Sequence, residues 1–189
     1  MRPRKILRKP TKSSQKVSVN ALRVQEPSLR DVYIKACVEN GIHVNSGIVA
    51  ILPDKPSMTY LSETLDFSNN YIGDRGILPL LAVVEKLHNL KAILFVENGL
   101  RNKGIDALCT GVANHPSLER IDLSGNCISE GAALSLEGLL RTNKRIVDLA
   151  INRSKISVEW RVKLKDLIAL NRSTQVTHEI VEGSAMPSL

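Results

Sequence analysis

Three aspartates, Asp66, Asp122 and Asp148, are the side chains of this sequence that come nearest to a catalytic or metal-binding set. Paired carboxylates can exchange a proton with a substrate or bind a hard cation. Both uses need further groups nearby, and the four histidines of the chain are scattered. The sequence also lacks the phosphate-binding loop G-x-x-x-x-G-K-[ST], the zinc motif H-E-x-x-H and the nucleophile motif G-x-S-x-G. We therefore predict no catalytic residues, no metal site, no cofactor and no enzymatic activity.

The elements that position these aspartates are marked by a recurring asparagine. Members of this set follow one another at intervals of 28, 28 and 26 residues: Asn70, Asn98, Asn126 and Asn152. Each follows an alternation of apolar residues, as in LERIDLSGNCI at 118–128, and the last follows Val147 and Leu149. A buried amide is costly unless its hydrogen bonds are satisfied. We predict that the four side chains form a structural asparagine ladder, which bonds main-chain groups where each strand ends.

A helical period follows each of the first three strand motifs. After Asn70, for example, apolar residues recur at spacings of three and four from Ile77 to Val84, which is typical of an amphipathic helix. The pattern over roughly 58–171 resembles leucine-rich repeat proteins of the ribonuclease-inhibitor-like subfamily. The resemblance implies an α/β solenoid, a short horseshoe arc of about four repeats, with a parallel β-sheet on the concave face and helices on the convex face.

Alternate residues of each strand point away from the core and line the concave face. Five of them are predicted to form a partner-binding surface: Asp66, Leu94, Val96, Asp122 and Asp148. In this register Asp122 and Asp148 lie on adjacent strands, whereas Leu94 separates Asp66 from Asp122. Leu94 takes a position where aspartate recurs, and exposed apolar side chains at the centre of a sheet favour contact with a protein.

Caps are expected on both sides of the repeats, because a terminal repeat exposes an apolar face. Residues 29–57 are predicted to form a helical N-terminal cap, and residues 172–189 a capping strand over QVTHEI at 175–180 with a loose tail. The segment YIKACVENGIHVNSGIVAIL resembles the start of leucine-rich repeat proteins of flagellated protists, some of them cytoskeletal. This resemblance implies a cytoskeletal protein of a cilium or flagellum.

A basic arm precedes the cap. Residues 1–30 carry nine basic side chains and one acidic side chain, and the chain as a whole has a net charge of +7. With few apolar residues, 1–28 is predicted to be disordered or ordered only by a partner. The residues expected to contact an anionic surface are Arg2, Arg4, Lys5, Arg8, Lys9 and Lys12. Three roles stay open: binding RNA, DNA or an acidic tubulin tail, acting as a mitochondrial presequence, or acting as a solvated or nuclear-import segment.

Composition also bears on the redox compartment and on membrane insertion. The three cysteines lack metal-binding spacing, which favours reduced thiols in an intracellular protein, and the run ILPLLAVV is too short to span a membrane. We predict a non-catalytic adaptor that binds other proteins, possesses no small-molecule substrate and belongs to a cytoplasmic, cytoskeletal assembly such as the ciliary or flagellar axoneme. The alternative is an RNA- or ribosome-associated subunit, mitochondrial or nuclear, that uses the basic arm.

Overall fold

A computed structural model of the chain describes residues 26–57 and 63–183, with side chains as far as residue 176 in the last helix. Within these ranges the strands are β1 (Thr64–Asp66), β2 (Ala92–Leu94), β3 (Arg120–Asp122) and β4 (Asp148–Ala150). The helices of the same ranges are α1 (Leu29–Glu39), α2 (Ser46–Ile51), α3 (Gly73–Glu85), α4 (Asn102–Val112), α5 (Glu130–Thr142) and α6 (Val158–Gly183).

The strands form one parallel sheet in the order β1-β2-β3-β4. One helix follows each strand, and each of the helices from α3 to α6 packs against the next. Paired residues are 28 positions apart throughout the sheet, as in the row Leu65, Ile93, Ile121 and Leu149. This architecture confirms the predicted α/β solenoid, with a parallel sheet in one layer and helices in the other.

The core consists of aliphatic rows that run across the repeats. Leu65, Ile93 and Ile121 are buried on the inner side of the sheet, facing helical positions such as Leu80 and Leu108. The two phenylalanine rings of the chain stack inside the first two repeats, with centroids 5.5 Å apart. Since each repeat buries its apolar residues only against its neighbours, the repeats are stable as a stack rather than singly.

Each repeat helps to begin the helix of the next repeat. Asp74 at the start of α3 accepts hydrogen bonds through Oδ1 from the main-chain N–H groups of Arg101 (2.7 Å) and Gly104 (3.1 Å). At the equivalent place in α4, Asn102 Oδ1 accepts from the N–H of Ser129 at 3.0 Å. A Cβ atom at Gly104 would lie 2.6 Å from Asp74 Oδ1, so a larger residue there would displace this carboxylate. The bonds satisfy N–H groups that a helix leaves unpaired at its start.

The fourth repeat has a different register from the predicted one. Strand β4 pairs with β3 so that Leu149 lies opposite Ile121, a spacing of 28 residues. The prediction matches Val147 to Ile121 and Asn152 to Asn126, and it is wrong by two residues. A shift of two residues keeps the alternation of inward and outward side chains, so the apolar pattern alone does not distinguish the two registers.

The observed register gives the fourth repeat a complete apolar pattern. Ile146, Ile151 and Ile156 are buried at the positions of Leu118, Leu123 and Ile128 in the third repeat. Counting 28 residues from Asn126 leads to Ser154. Asn152 instead lies on the solvent side of the strand and is exposed.

Helices cover the N-terminal end of the repeats. Helix α1 begins with a capping box, in which Ser28 Oγ accepts from the N–H of Asp31 and Asp31 Oδ2 accepts from the N–H of Ser28, both at 3.1 Å. The hydrogen bonds from Ser28 lower the pKa of the Asp31 carboxyl. Helix α1 packs on α3, and Asn45 Nδ2 donates to the carbonyl of Asn70 at 2.7 Å. The first repeat is therefore tied to helices at its outer side.

A helix, not a strand, occupies the C-terminal side. Helix α6 continues to Gly183, so the predicted capping strand at 175–180 is wrong. No glycine or proline interrupts the sequence from Val158 to that residue, so nothing stops the helix earlier. Side chains take the place of a strand: Asn171 donates to the carbonyl of Ile146 at 3.0 Å, and Gln175 to that of Arg145 at 2.9 Å.

Several predictions concern residues outside the described ranges. All six predicted arm residues lie there, as do residues 184–189 of the tail predicted over EGSAMPSL at 182–189; the first two residues of that segment end α6. The division of the chain into arm, cap, repeats and tail stays a prediction. Among the described residues, no helix has the length and apolar character needed to cross a membrane.

Candidate protein-binding surface

Asparagines at the end of each strand join successive repeats. Asn98 Oδ1 accepts from the N–H of Asn70, and Asn126 Oδ1 accepts from the N–H groups of Asn98 and Leu100, all at 3.0 Å. The amide of Asn126 also donates through Nδ2 to the carbonyls of Phe95 and Leu123 at 2.8 Å. Asn98 and Asn126 are buried, and their bonds satisfy main-chain groups that have left the sheet.

The asparagine ladder, defined as Asn70, Asn98 and Asn126, does not include the fourth predicted member. Asn152 is exposed, and its main-chain N–H donates to Ser124 Oγ at 3.2 Å. The equivalent position holds Ser154, whose Oγ accepts from Arg161 Nη2 at 2.8 Å. A serine side chain is too short to repeat the amide bonds of the ladder, and an arginine of α6 occupies the site instead.

The sequence analysis missed a second set of polar residues, two of which lie between a helix and the next strand, while the third, Asn171, lies within α6. His115, Asn143 and Asn171 are buried at intervals of 28 residues. Asn143 Nδ2 donates to the carbonyls of Val112 (3.2 Å) and His115 (3.1 Å), and Asn171 Nδ2 donates to that of Leu140 at 3.0 Å. Their regular spacing was the available signal, but histidine at the first position conceals it.

The ring of His115 is held between two main-chain groups. Nε2 lies 3.0 Å from the carbonyl oxygen of Leu87, and Nδ1 accepts from the N–H of Ser117 at 3.3 Å. This arrangement requires the neutral ring, with its hydrogen on Nε2. Burial lowers the pKa of His115, so the neutral form is favoured further.

The outward side chains of the strands form three rows across the concave face. The first contains Thr64, Ala92, Arg120 and Asp148, and the second contains Asp66, Leu94, Asp122 and Ala150. The third row, at the strand ends, contains Ser68, Val96, Ser124 and Asn152. Asp66, Leu94 and Val96 therefore have the neighbours expected of them. Asp122 and Asp148 do not, because Asp148 lies beside Arg120 and Ala150 lies beside Asp122.

The aspartates of this face have local partners. Asp66 Oδ1 accepts from the N–H of Ser68, and Asp122 Oδ1 accepts from the N–H of Ser124, both at 2.9 Å. Asp148 forms an ion pair with Arg120, with 3.5 Å between Oδ2 and Nε. Two of the three carboxylates thus stabilise the turn that ends their own strand, as short polar side chains commonly do.

Strand β2 differs from its neighbours in the sheet. Its outward residues are all apolar, and we call them the β2 strip: Ala92, Leu94 and Val96. Each is half-buried, and the second row places aspartates on both sides of Leu94. The strip gives the middle of the concave face an apolar line with charged borders.

The described residues contain no cluster of three or more histidine, cysteine, aspartate or glutamate side chains that could hold a metal ion. All three cysteines are free thiols; Cys37 and Cys109 are buried, and Cys127 is exposed. Burial raises the pKa of the Cys109 thiol to about 12, so this group is protonated at neutral pH. Cys109 is therefore a core residue rather than a reactive one.

Comparison of the sequence with protein families gives a match to the family described as Leucine Rich repeat, over residues 63–81 and 114–136. A curated relative is FERM domain-containing protein C of Dictyostelium discoideum, which is 23% identical over 96 residues. That alignment covers 50% of this chain and only 6% of the relative.

Among solved structures, the chain is similar to one titled Leiomodin-1 Actin-Binding Site 2, with a TM-score of 0.55 and 14% identity. The similarity covers 84% of this chain and 98% of that structure. The C-terminal domain of tropomodulin from Caenorhabditis elegans gives a TM-score of 0.41 at 9% identity, over 66% of this chain and 95% of that one. At such identities the likeness to the leiomodin structure establishes a common fold.

Proposed function

We infer that this chain, a leucine-rich repeat protein, acts as a non-catalytic scaffold that binds another protein on its concave face. The observation that carries the proposal is the β2 strip, Ala92, Leu94 and Val96, between strands with polar outward residues. The repeats on either side place aspartate at the position of Leu94 and serine at that of Val96, so packing within the sheet does not require apolar side chains there. An apolar line with charged borders resembles the centre and rim of a protein interface.

The chemistry of the aspartates supports binding rather than catalysis. A catalytic pair of carboxylates needs at least one member free to exchange protons with a substrate. Asp66 and Asp122 each accept a hydrogen bond from their own turn, and Leu94 stands between them. Asp148 is paired with Arg120. These groups are better suited to orient a polar partner at the edge of the strip.

We propose the cytoskeleton as the place of this scaffold. The leiomodin-1 structure with the same fold is titled as an actin-binding site, and the relative from Dictyostelium discoideum is a FERM domain-containing protein. The N-terminal segment resembles proteins of flagellated protists, which supports a ciliary or flagellar axoneme as the specific assembly. In this proposal the basic arm docks on an acidic surface, such as that of tubulin.

The arm also supports a second candidate, an RNA- or ribosome-associated subunit, which would be mitochondrial if the arm directs import. Residues 1–30 have a net charge of +8, which is suited to phosphate neutralisation. The remaining 159 residues contain 17 basic and 18 acidic side chains, so the folded repeats contribute no excess of positive charge. Because the repeats add no net positive charge for binding RNA, we favour the cytoskeletal scaffold over the second candidate.

Detergent extraction of cells that express the tagged full chain tests the proposal. We expect the chain to stay with the insoluble cytoskeleton, and a drug that depolymerises either actin or microtubules to release it and so to name the filament. A chain without residues 1–28 should be retained less, and a chain with its six arm residues changed to glutamine should behave in the same way. Mitochondrial or nucleolar signal, with complete detergent release, would contradict the cytoskeletal assignment and favour the second candidate.

A further inference from the structure

Within the described part of the chain, β4 is the last strand of the sheet, and no strand pairs with its outer side. In a parallel sheet, alternate residues direct both main-chain groups to the same neighbour. Asp148 and Ala150 bond to β3, since the N–H of Asp148 donates to Glu119 and the carbonyl of Ala150 accepts from Leu123. Leu149 therefore directs its N–H and carbonyl groups away from the described sheet.

Helix α6 closes the two ends of this unpaired side and leaves its middle open. Arg161 Nη1 donates to the carbonyl of Ile151 at 3.1 Å, and Arg172 Nε donates to the carbonyl of Val147 at 2.8 Å. Between these two arginines lies a groove of about 460 Å³, bordered by β4 on one side and α6 on the other. We call it the β4–α6 groove.

The floor of the β4–α6 groove is apolar. Leu164 and Ile168 of α6 are buried beneath it, and Leu149 of β4 forms part of its wall. Ala169 is exposed along α6, and its small side chain leaves room above the floor. This floor can accept the alternate apolar side chains of an extended segment, which project on one side of a strand every second residue.

The rim of the groove is predominantly positive. Arg161, Lys165 and Arg172 line it, against a single carboxylate, Asp148. Lys165 and Arg172 are exposed, and Asp148 is already paired with Arg120 of the neighbouring strand. An occupant with acidic side chains at alternate positions complements this charge.

We propose that the β4–α6 groove binds an extended, acidic segment of a partner protein, which adds to the sheet beside β4. Its main chain pairs with Leu149, its apolar residues enter the floor, and its carboxylates face Lys165 and Arg172. Such strand addition obtains affinity from main-chain hydrogen bonds and specificity from pockets for alternate side chains. The groove borders the concave face at Asp148 but shares no residue with the β2 strip, so the failure of either proposal leaves the other standing.

Two other occupants fit the groove less well. The chain's own arm, residues 1–25, contains only basic charged side chains and would be repelled by the rim. A second copy could pair β4 with β4, but this would bring Lys165 and Arg172 of both copies close to one another. The acidic segment avoids both costs.

Selection from a displayed library of short random peptides on the immobilised full chain tests the proposal. Ala169→Trp fills the groove, and that variant is used to remove peptides that bind elsewhere. We expect the enriched peptides to alternate apolar and acidic residues. On binding, they should slow amide hydrogen exchange at Leu149. Lys165→Glu should weaken binding by about tenfold or more. Lys103→Glu makes the same charge change at an exposed residue of α4, away from the groove, and should leave binding unchanged.

Thermal unfolding of each variant first establishes that it folds as the wild type does. Enrichment without acidic residues, binding that survives both Ala169→Trp and Lys165→Glu, or protection away from β4 would overturn the proposal. The proposal would also be overturned if no peptide binds the wild type and fails to bind the Ala169→Trp variant. Dimerisation of the wild type that Ala169→Trp abolishes would assign the groove to a second copy and would equally overturn it.

Discussion

The asparagine ladder and the concave face belong to the same repeats but follow different rules. The ladder repeats one residue type, Asn70, Asn98 and Asn126, with equivalent bonds in each interval. The concave face, four residues before each ladder asparagine, changes from aspartate to leucine and back between neighbouring repeats. Positions that repeat hold the solenoid together, whereas positions that depart from the repeat are available for a partner.

The physical cause of this difference is burial. Each buried ladder amide satisfies main-chain groups of two repeats, and an unsatisfied buried group costs about 1–3 kcal/mol. Such a position tolerates few alternatives. When an outward side chain on the concave face changes, the sheet bonds beneath it persist, and at most one main-chain N–H group, as at Ser68 or Ser124, loses a partner. Four substitutions, in decreasing order of expected effect, measure how far this distinction holds.

Asn126→Ala should reduce the free energy of unfolding by about 3 kcal/mol, because the N–H groups of Asn98 and Leu100 and the carbonyl of Phe95 would lose their partner. Chemical denaturation of the purified chain measures this loss. Asn152→Ala is the matched control, since that side chain is exposed, and it should change stability by less than about 0.5 kcal/mol. Equal losses in the two variants would contradict the corrected register.

His115→Asn should remove a dependence of stability on pH while changing stability at neutral pH by less than about 1 kcal/mol. Because burial lowers the pKa of His115, the unfolded chain binds a proton more readily, and wild-type stability should fall as pH drops below about 6.5. Asparagine can reproduce the bonds, as Asn143 accepts from the N–H of Arg145 at 3.1 Å one repeat later.

Unfolding at several pH values tests this expectation. The contribution of His115 is fully present above the unfolded pKa and is lost toward the lower folded pKa, so the wild-type and His115→Asn curves should diverge only on the acidic side. Curves that stay parallel down to acidic pH would show that the ring is not held in its neutral form.

Ser154→Asn should extend the ladder into the fourth repeat and raise the free energy of unfolding by about 0.5–1 kcal/mol. The new amide would accept from the N–H groups of Asn126 and Ile128, by analogy with the bonds to Asn98 and Leu100. Arg161 would keep its bond to the main-chain carbonyl of residue 154 at 3.0 Å. Ser154→Ala is the control and should not raise the free energy of unfolding. A loss of stability in Ser154→Asn would mean that the new amide cannot form the ladder bonds beside Arg161.

The ion pair between Arg120 and Asp148 should contribute least. Both side chains are about half exposed and 3.5 Å apart, so their coupling should be below about 0.5 kcal/mol. A double-mutant cycle with Arg120→Ala and Asp148→Ala measures it through denaturation. A coupling well above this value would give the concave face a structural role and weaken the distinction drawn here.

The sequence predicts most of the fold because the repeats state it several times. Three copies of the same apolar spacing and the same asparagine predict the strands, the ladder and the helices that follow. The register of the fourth repeat was predicted wrongly because Asn152, two residues before Ser154, was matched to the ladder. A shift of two residues preserves the alternation of inward and outward side chains, so the apolar pattern did not reveal the error. Pairing with β3, which the sequence does not state, decides the register.

The remaining differences concern single elements without a second copy to compare. Helix α6 passes through the predicted strand at 175–180, and only the absence of a breaking residue indicates this in advance. The series of His115, Asn143 and Asn171 carries the right spacing, but two residue types share it. The β4–α6 groove arises from the end of the sheet, which no repeat pattern describes.

Leu94→Asp tests the central distinction most directly, because it gives the second repeat the residue of its neighbours. The new carboxylate can accept from the N–H of Val96, as Asp66 and Asp122 do from their serines. The account predicts a free energy of unfolding within about 0.5 kcal/mol of the wild type, together with loss of retention on the detergent-insoluble cytoskeleton. Leu134→Asp replaces an exposed apolar side chain of α5 and is the control. It should keep both the stability and the cytoskeletal retention of the wild type. Unchanged retention in Leu94→Asp, or unfolding in place of lost binding, would contradict the account.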